Sequence, residues 1–142
     1  MVELGPQRGA EVGFLAEFAT FDNFSRGELR RMVTAGQRVS LPENWPLIHE
    51  RTPGDACYVL LAGHVAIYSG RDRIAELGPG EVVGELSLTT GTLRTATVST
   101  TTPVDLLRLD GDALQTLLTE LPALRQTIHD TAVTHGGTSP NV

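Results

Sequence analysis

"ACYVLLAGHVAIYSGRDRIAELGPGEVV", Ala56 to Val83, is the stretch whose reading decides the fold. Short apolar and β-branched runs, "ACYVLLAG", "HVAIYSG", "RIAEL" and "EVV", alternate with turn formers. "YSGRDR" reads as a tight hairpin, and "GPG", Gly78 to Gly80, marks a sharp reversal. Many short strands with turn signals every several residues argue for a sandwich or barrel, not for parallel βαβ units.

The same pattern extends outward in both directions, from Arg38 to Asp110. "RVSL" and "PLIHE" come before the block, separated by "PENWP" and followed by "TPGD". Both are weakly apolar and read as edge-like. "RTATVST" and "VDLLRLD" come after it, joined by "TTP". Beyond these limits the period changes to that of a helix. Phe14, Leu15 and Phe18 have helical spacing. Ser25 is an N-cap with Glu28 three residues on, which completes a capping box and puts Leu29, Met32 and Val33 on a buried face. All four phenylalanines fall between residues 14 and 24 and read as a packing layer. After Asp110, Leu114, Leu117, Leu118 and Leu121 share a face, and Pro122 opens a second helix at its first turn, continued by Leu124 and Ile128. The tail "THGGTSPNV" is small and polar, and disorder is expected there. There is no internal repeat. The expected fold is mainly β with flanking helices: an antiparallel, jelly-roll-like β-roll with N-terminal and C-terminal helices. The expected division is an N-terminal extension over residues 1–13, one domain over 14–134 and a disordered tail over 135–142.

The chain has 142 residues, 40% of them hydrophobic and 20% charged, which suits one soluble globular domain. Its net charge of −6 argues against a nucleic-acid binder, which would show a basic patch. The one candidate patch, "RGELRR", is interrupted by Glu28 and reads as a solvated helix face. No apolar run is long enough to span a membrane, and no basic segment followed by an apolar one opens the chain. A cytoplasmic location is therefore expected. The single cysteine, Cys57, cannot form an internal disulfide and reads as a core thiol. His49, His64, His129 and His135 are scattered, so no metal site is expected. "GPGEVVG" lacks the Gly-Lys-Ser/Thr of a nucleotide P-loop. No nucleophile–base constellation is present, so neither catalytic residues nor an enzyme are expected. Trp45 reads as a plug from the surface into the core, with a partner contact as the alternative.

The stretch after the block, "GELSLTTGTLRTATV", Gly84 to Val98, holds one acid, Glu85, and one base, Arg94, among small and hydroxylated residues. A strand, a short helical turn after Gly84 and another strand would bracket it. The first N–H groups of a helix lack internal partners and attract anions. Gly84 would let a ligand approach the backbone. Arg94, entering from the far strand, offers a planar fork of donors suited to phosphate. Glu85, when ionised, only accepts hydrogen bonds and suits a sugar hydroxyl. Ser87, Thr95 and Thr97 add hydroxyls without filling the space. Two readings fit this pattern. Glu85 and Arg94 form an ion pair across two strands, or they hold two ends of one small phosphorylated sugar.

"GELSL", "TTGTL" and "RTATV" together resemble the phosphate-binding cassette of the cyclic nucleotide-binding domain family. That family includes kinase regulatory subunits, gated channels and catabolite activators. The resemblance extends from about residue 14 to residue 128. It takes in "FATFDNFSRGELRRM", "PGDACYVLLAGHVAIY", "IAELGPGEVVGE" and "DLLRLDGDALQTLLTELPAL". It implies that Arg94 binds the equatorial phosphate oxygen, that Glu85 holds the ribose 2′-hydroxyl, and that N–H groups near Gly84, Leu86, Ser87 and Thr95 complete the cradle. Thr95 is compatible with either base; cyclic AMP is the leading ligand and cyclic GMP the second. The last helix would close over the base as a lid, with Ile128 or Val133 as its cap, and would discriminate bases less than it discriminates the cyclic phosphate. The sequence departs from the family at Leu93, where proline is frequent, at Val83, where an aromatic is common, and at Asn44 and Arg51, where glycine is usual.

The implied function is a stand-alone cyclic-nucleotide sensor that turns nothing over and needs no cofactor. Binding would rearrange helices that a protein effector reads, by a population shift. A homodimer is possible, and from the charge and the lack of a long apolar run neither a nucleic-acid nor a membrane partner is expected. The alternative is the same fold with a degenerate pocket, serving as a protein–protein interaction module.

Overall fold

The computed structural model describes residues 2–3 and 8–135. The side chains of Phe14 and Val133, and the expected tail from residue 136 onward, lie outside the described parts. A two-residue strand, β1 (Val2–Glu3), comes first. Helix α1 (Arg8–Glu17), a 3-10 turn (Ala19–Phe21) and α2 (Arg26–Ala35) follow. The strands β2 (Gln37–Leu41), β3 (Pro46–Ile48), β4 (Ala56–Ala62), β5 (Val65–Ser69), β6 (Asp72–Leu77) and β7 (Val82–Val83) come next. Helix α3 (Glu85–Thr90) then interrupts the β region before β8 (Thr97–Thr100) and β9 (Val104–Asp110). The helices α4 (Gly111–Glu120) and α5 (Pro122–His135) end the described chain.

The strands form two antiparallel sheets, β1-β2-β9-β4-β7 and β3-β8-β5-β6, and neither closes into a barrel. Alternation along the two central strands of the first sheet explains the packing. In β4, Cys57, Val59 and Leu61 face the helices, against Leu29, Met32 and Leu117. Ala56, Tyr58 and Leu60 face inward, toward Ile67 and Val98 of the second sheet. Strand β9 divides in the same way, Leu107 and Leu109 outward to the helices and Val104 and Leu106 inward. A strand buried on both faces must be apolar at successive positions, which is why "CYVLL" shows no alternation.

Local chemistry sets the helix starts. The Ser25 hydroxyl accepts from the Glu28 N–H at 3.1 Å, and the Glu28 carboxylate accepts from the Ser25 N–H at 2.8 Å. Leu29, Met32 and Val33 are buried, as their spacing predicts. Asp110 caps α4 by accepting from the Ala113 N–H at 2.8 Å. The phenylalanine layer includes Phe21 and Phe24, edge to face with centroids 5.3 Å apart.

Three readings need correction. Strand β2 is not an edge, because β1 covers one side and β9 the other; of these two strands, β3 alone is an outer one. The run "RTATVST" is regular only from Thr97, because the backbone of Arg94 bonds instead to Arg51 and Thr52. Trp45 is no core plug; it is 40% exposed. Asn44, at φ 58°, turns the chain before Trp45, and the Trp45 N–H donates to the Thr100 hydroxyl at 2.8 Å.

Among the described residues no helix is long and apolar enough to cross a membrane. No group of three His, Cys, Asp or Glu among them could hold a metal ion.

Candidate functional site

The cassette begins where β7 ends. Gly84 caps α3 at φ 90°, in the left-handed region, and Gly91 closes the helix at φ 70°. A Cβ on Gly84 would stand 2.7 Å from the Arg94 Nη1 and 3.1 Å from Ile48. Glycine is required there both by conformation and by space. The helix between the two glycines is six residues long, and Glu85 and Ser87 in its first turn are both buried.

Arg94 reaches this turn from an irregular segment. Its N–H donates to the Thr52 carbonyl and its carbonyl accepts from the Arg51 N–H, both at 2.8 Å, while Leu93 bridges Pro53. Arg51 adopts φ 65° to make this connection, as Asn44 does in the preceding turn. These are the two positions where the resemblance leads one to expect glycine. The guanidinium of Arg94 is buried and donates to the Gly84 carbonyl at 2.6 Å and to the Ala56 carbonyl at 2.5 Å. Its nearest acid is Asp55, at 3.6 Å, which is largely exposed and also lies 3.7 Å from Arg108. No ion pair joins Arg94 to Glu85 among the described residues. The two residues flank the same helix start without neutralising each other.

Glu85 is 5% exposed. Burial pushes its carboxyl from 4.5 up to about 7, against the opposing pull of its own backbone N–H and of Arg94. The Ser87 hydroxyl is buried and has no hydrogen-bond partner among the described residues. Leaving such a group unpaired costs about 1–3 kcal/mol, so it is poised to bond to an acceptor brought from outside. Leu86 is half-buried, and its carbonyl accepts from the Thr90 hydroxyl at 2.7 Å. Thr95 is exposed beside Arg94. The structure thus brings Gly84, Glu85, Ser87 and Arg94 together, with Leu86 turned partly away and Thr95 on the rim.

The segment "TPGD" has more work here than its reading as a turn. A Cβ on Gly54 would fall 2.4 Å from the Ser87 hydroxyl, so this glycine keeps the first turn of α3 open. The Asp55 carboxylate of the same segment and the Ala56 carbonyl that follows it, at the start of β4, face Arg94. Pro-Gly-Asp signals a turn and nothing more; only the meeting of β4 with the cassette reveals these contacts.

The family described as "Cyclic nucleotide-binding domain" matches residues 38–120. A cyclic nucleotide-gated potassium channel of Rhizobium etli is 30% identical over 126 residues, spanning 89% of this chain and 35% of the channel. A CRP-like cAMP-activated global transcriptional regulator of Mycobacterium tuberculosis is 27% identical over 117 residues, spanning 79% and 52%. The chain therefore spans about a third of the channel's length and about half of the regulator's. Among solved structures, the catabolite activator protein of Thermus thermophilus superposes with a TM-score of 0.73 at 25% identity, over 81% of this chain and 56% of that one. With its antiparallel roll, flanking helices and glycine-started cassette helix, the chain belongs to the cyclic nucleotide-binding domain family.

Proposed function

We propose that this domain binds a cyclic nucleotide at the start of α3 and reports its presence to a protein effector. The observation that carries the reading is the pairing of a buried Arg94 guanidinium with a buried, unpartnered Ser87 hydroxyl at one helix start. Arg94 supplies the positive charge for the cyclic phosphate, and Ser87 with the first N–H groups of α3 supplies further donors. Glu85 accepts from the ribose 2′-hydroxyl. Thr95, on the rim, is placed to meet the base. A cAMP-activated regulator and a cyclic nucleotide-gated channel among the relatives support this ligand class. Cyclic AMP is the first candidate and cyclic GMP the second. The chemistry is binding without turnover.

The route outward runs through α3. Leu88, on the same short helix as Glu85 and Ser87, packs into the helix-side core and approaches the start of α4 at Gly111. The turn before β7 is held from the N-terminal side, where the Thr20 hydroxyl donates to the Gly80 carbonyl at 2.8 Å. A ligand that prefers one position of α3 therefore biases both flanking helical groups, by no more than its differential affinity. Ile128 on α5, half-buried against the helix-side core, is the candidate cap over the base.

Calorimetry with cyclic AMP and cyclic GMP tests the reading. At least one should bind with a dissociation constant below about 1 mM. Arg94→Ala, shown by circular dichroism to keep its fold, should abolish that binding. A folded wild-type chain that binds neither nucleotide overturns the reading and leaves an interaction module of the same fold.

A further inference from the structure

Helix α2 has a second face, away from its buried leucine and methionine. Gly27, Arg30, Arg31, Thr34 and Ala35 follow the spacing of one helical stripe and, with Thr116 and Leu117 of α4, line a groove of about 320 Å³. Glycine, alanine and threonine leave the groove open, its surface is mostly apolar, and the buried Leu117 lies at its base. The arginines form its rim.

The charge at this rim is opposite to that of the chain. The net charge is −6, yet Arg26, Arg30 and Arg31, three of eleven basic residues, lie within one helix of ten residues. Two nearby acids are already engaged. Glu28 is held in the capping box, and Glu120 pairs with Arg31. Arg26 and Arg30 have no carboxylate partner among the described residues, and both are exposed. At physiological ionic strength charges farther than about 8 Å are largely screened, so the local arginines and not the net charge govern a docking segment.

We propose that this groove docks an acidic amphipathic segment of a partner protein. One apolar side chain would enter the trough over Leu117, and carboxylates on either side would meet Arg26 and Arg30. The combination is that of a helix laid into a groove. The apolar floor favours a peptide over a nucleic-acid backbone, which needs a longer run of cations. The proposal does not depend on nucleotide binding.

The test uses the full chain, ¹⁵N-labelled and free of nucleotide, titrated with a synthetic helical peptide of Leu-Glu-Glu-Leu repeats. Amide shifts should concentrate at Gly27 to Ala35 and around Thr116. Binding should weaken at least about 10-fold between low salt and 0.5 M salt, as screening shortens the reach of the arginines. Arg30→Glu and Ala35→Arg, each with unchanged circular dichroism, should each weaken it by a similar factor. Equal binding of a Leu-Lys-Lys-Leu peptide, shifts centred elsewhere, or no binding would overturn the proposal. So would tighter binding of a DNA duplex at the same amides, or their occupation by self-association on raising the protein concentration. Because no nucleotide is present, such a failure leaves the nucleotide reading standing.

Discussion

Glu85 is a carboxyl kept where water cannot solvate it, and this has a direction in pH. Its value in the fold, about 7, lies above the 4.5 of an ordinary glutamate. Below 4.5 it is protonated in both folded and unfolded chains and contributes nothing to pH dependence. Between 4.5 and about 7 the folded chain binds more protons, so rising pH destabilises it, by about 3 kcal/mol once both forms are ionised. Glu85→Gln should therefore raise stability to urea by about 1–3 kcal/mol at pH 8 and leave it nearly unchanged at pH 4. Equal effects at both pH values would contradict the assignment. If the carboxylate is the form that accepts the ribose hydroxyl, nucleotide affinity in the wild type should fall as pH drops below about 7. Calorimetry at a series of pH values reads this directly. Glycines separate conformation from space. Gly70, at φ 61° with nothing within 4 Å of a Cβ, should tolerate alanine at about 1–2 kcal/mol. Gly84→Ala adds the collision with Arg94 and should cost more, while also removing ligand binding. Glu85, Ser87 and Arg94 could be picked out as candidates because their motif is contiguous. Asp55 and Gly54 could not, because their partners lie more than thirty residues away along the chain.

At the scale of elements, legibility follows locality. Helix α2 was readable because its cap, its box and its buried stripe all lie within nine residues. Ser25→Ala should cost about 1 kcal/mol in chemical denaturation, the ordinary value of an N-cap, with the loss expressed at α2. Strands β4 and β9 were readable from composition. The start of β8 was not: Arg94 to Ala96 have strand-like residues, but Arg94 is taken up by the bonds to Arg51 and Thr52, a competition that no local propensity records. The exposed Trp45 has a similar cause. Large apolar side chains are usually buried, but a left-handed Asn44 in front and Pro46 behind fix the direction of the turn. Helix α3 is bounded by left-handed glycines at both ends, which sets a short rigid piece between two permissive joints.

For the whole molecule, the decisive arrangement is that two cores share two strands. The helix-side core and the interior of the roll meet back to back across β4 and β9. Leu107→Ala, on the helix side of β9, should cost about 2–5 kcal/mol, and the loss should appear in one cooperative transition rather than in the helices alone. Ligand acts on the same transition. At 100 times its dissociation constant a cyclic nucleotide should stabilise the fold by about 2.7 kcal/mol, and should do nothing for Arg94→Ala. Thermal melts with and without nucleotide check both statements. The overall class, an antiparallel roll between helices, was visible in the rhythm of short runs and turns; the order of strands was not, because pairing such as β2 with β9 joins distant parts of the chain.

Cys57 sits at the seam of these two cores, fully buried, with burial first and Glu85 second pushing its thiol up to about 12. Such a sulfur is inert until β4 leaves the sheet. Under native conditions its modification by an excess of thiol reagent therefore counts openings of the roll, one by one. The chain carries its own clock, and a bound nucleotide should make it run slow.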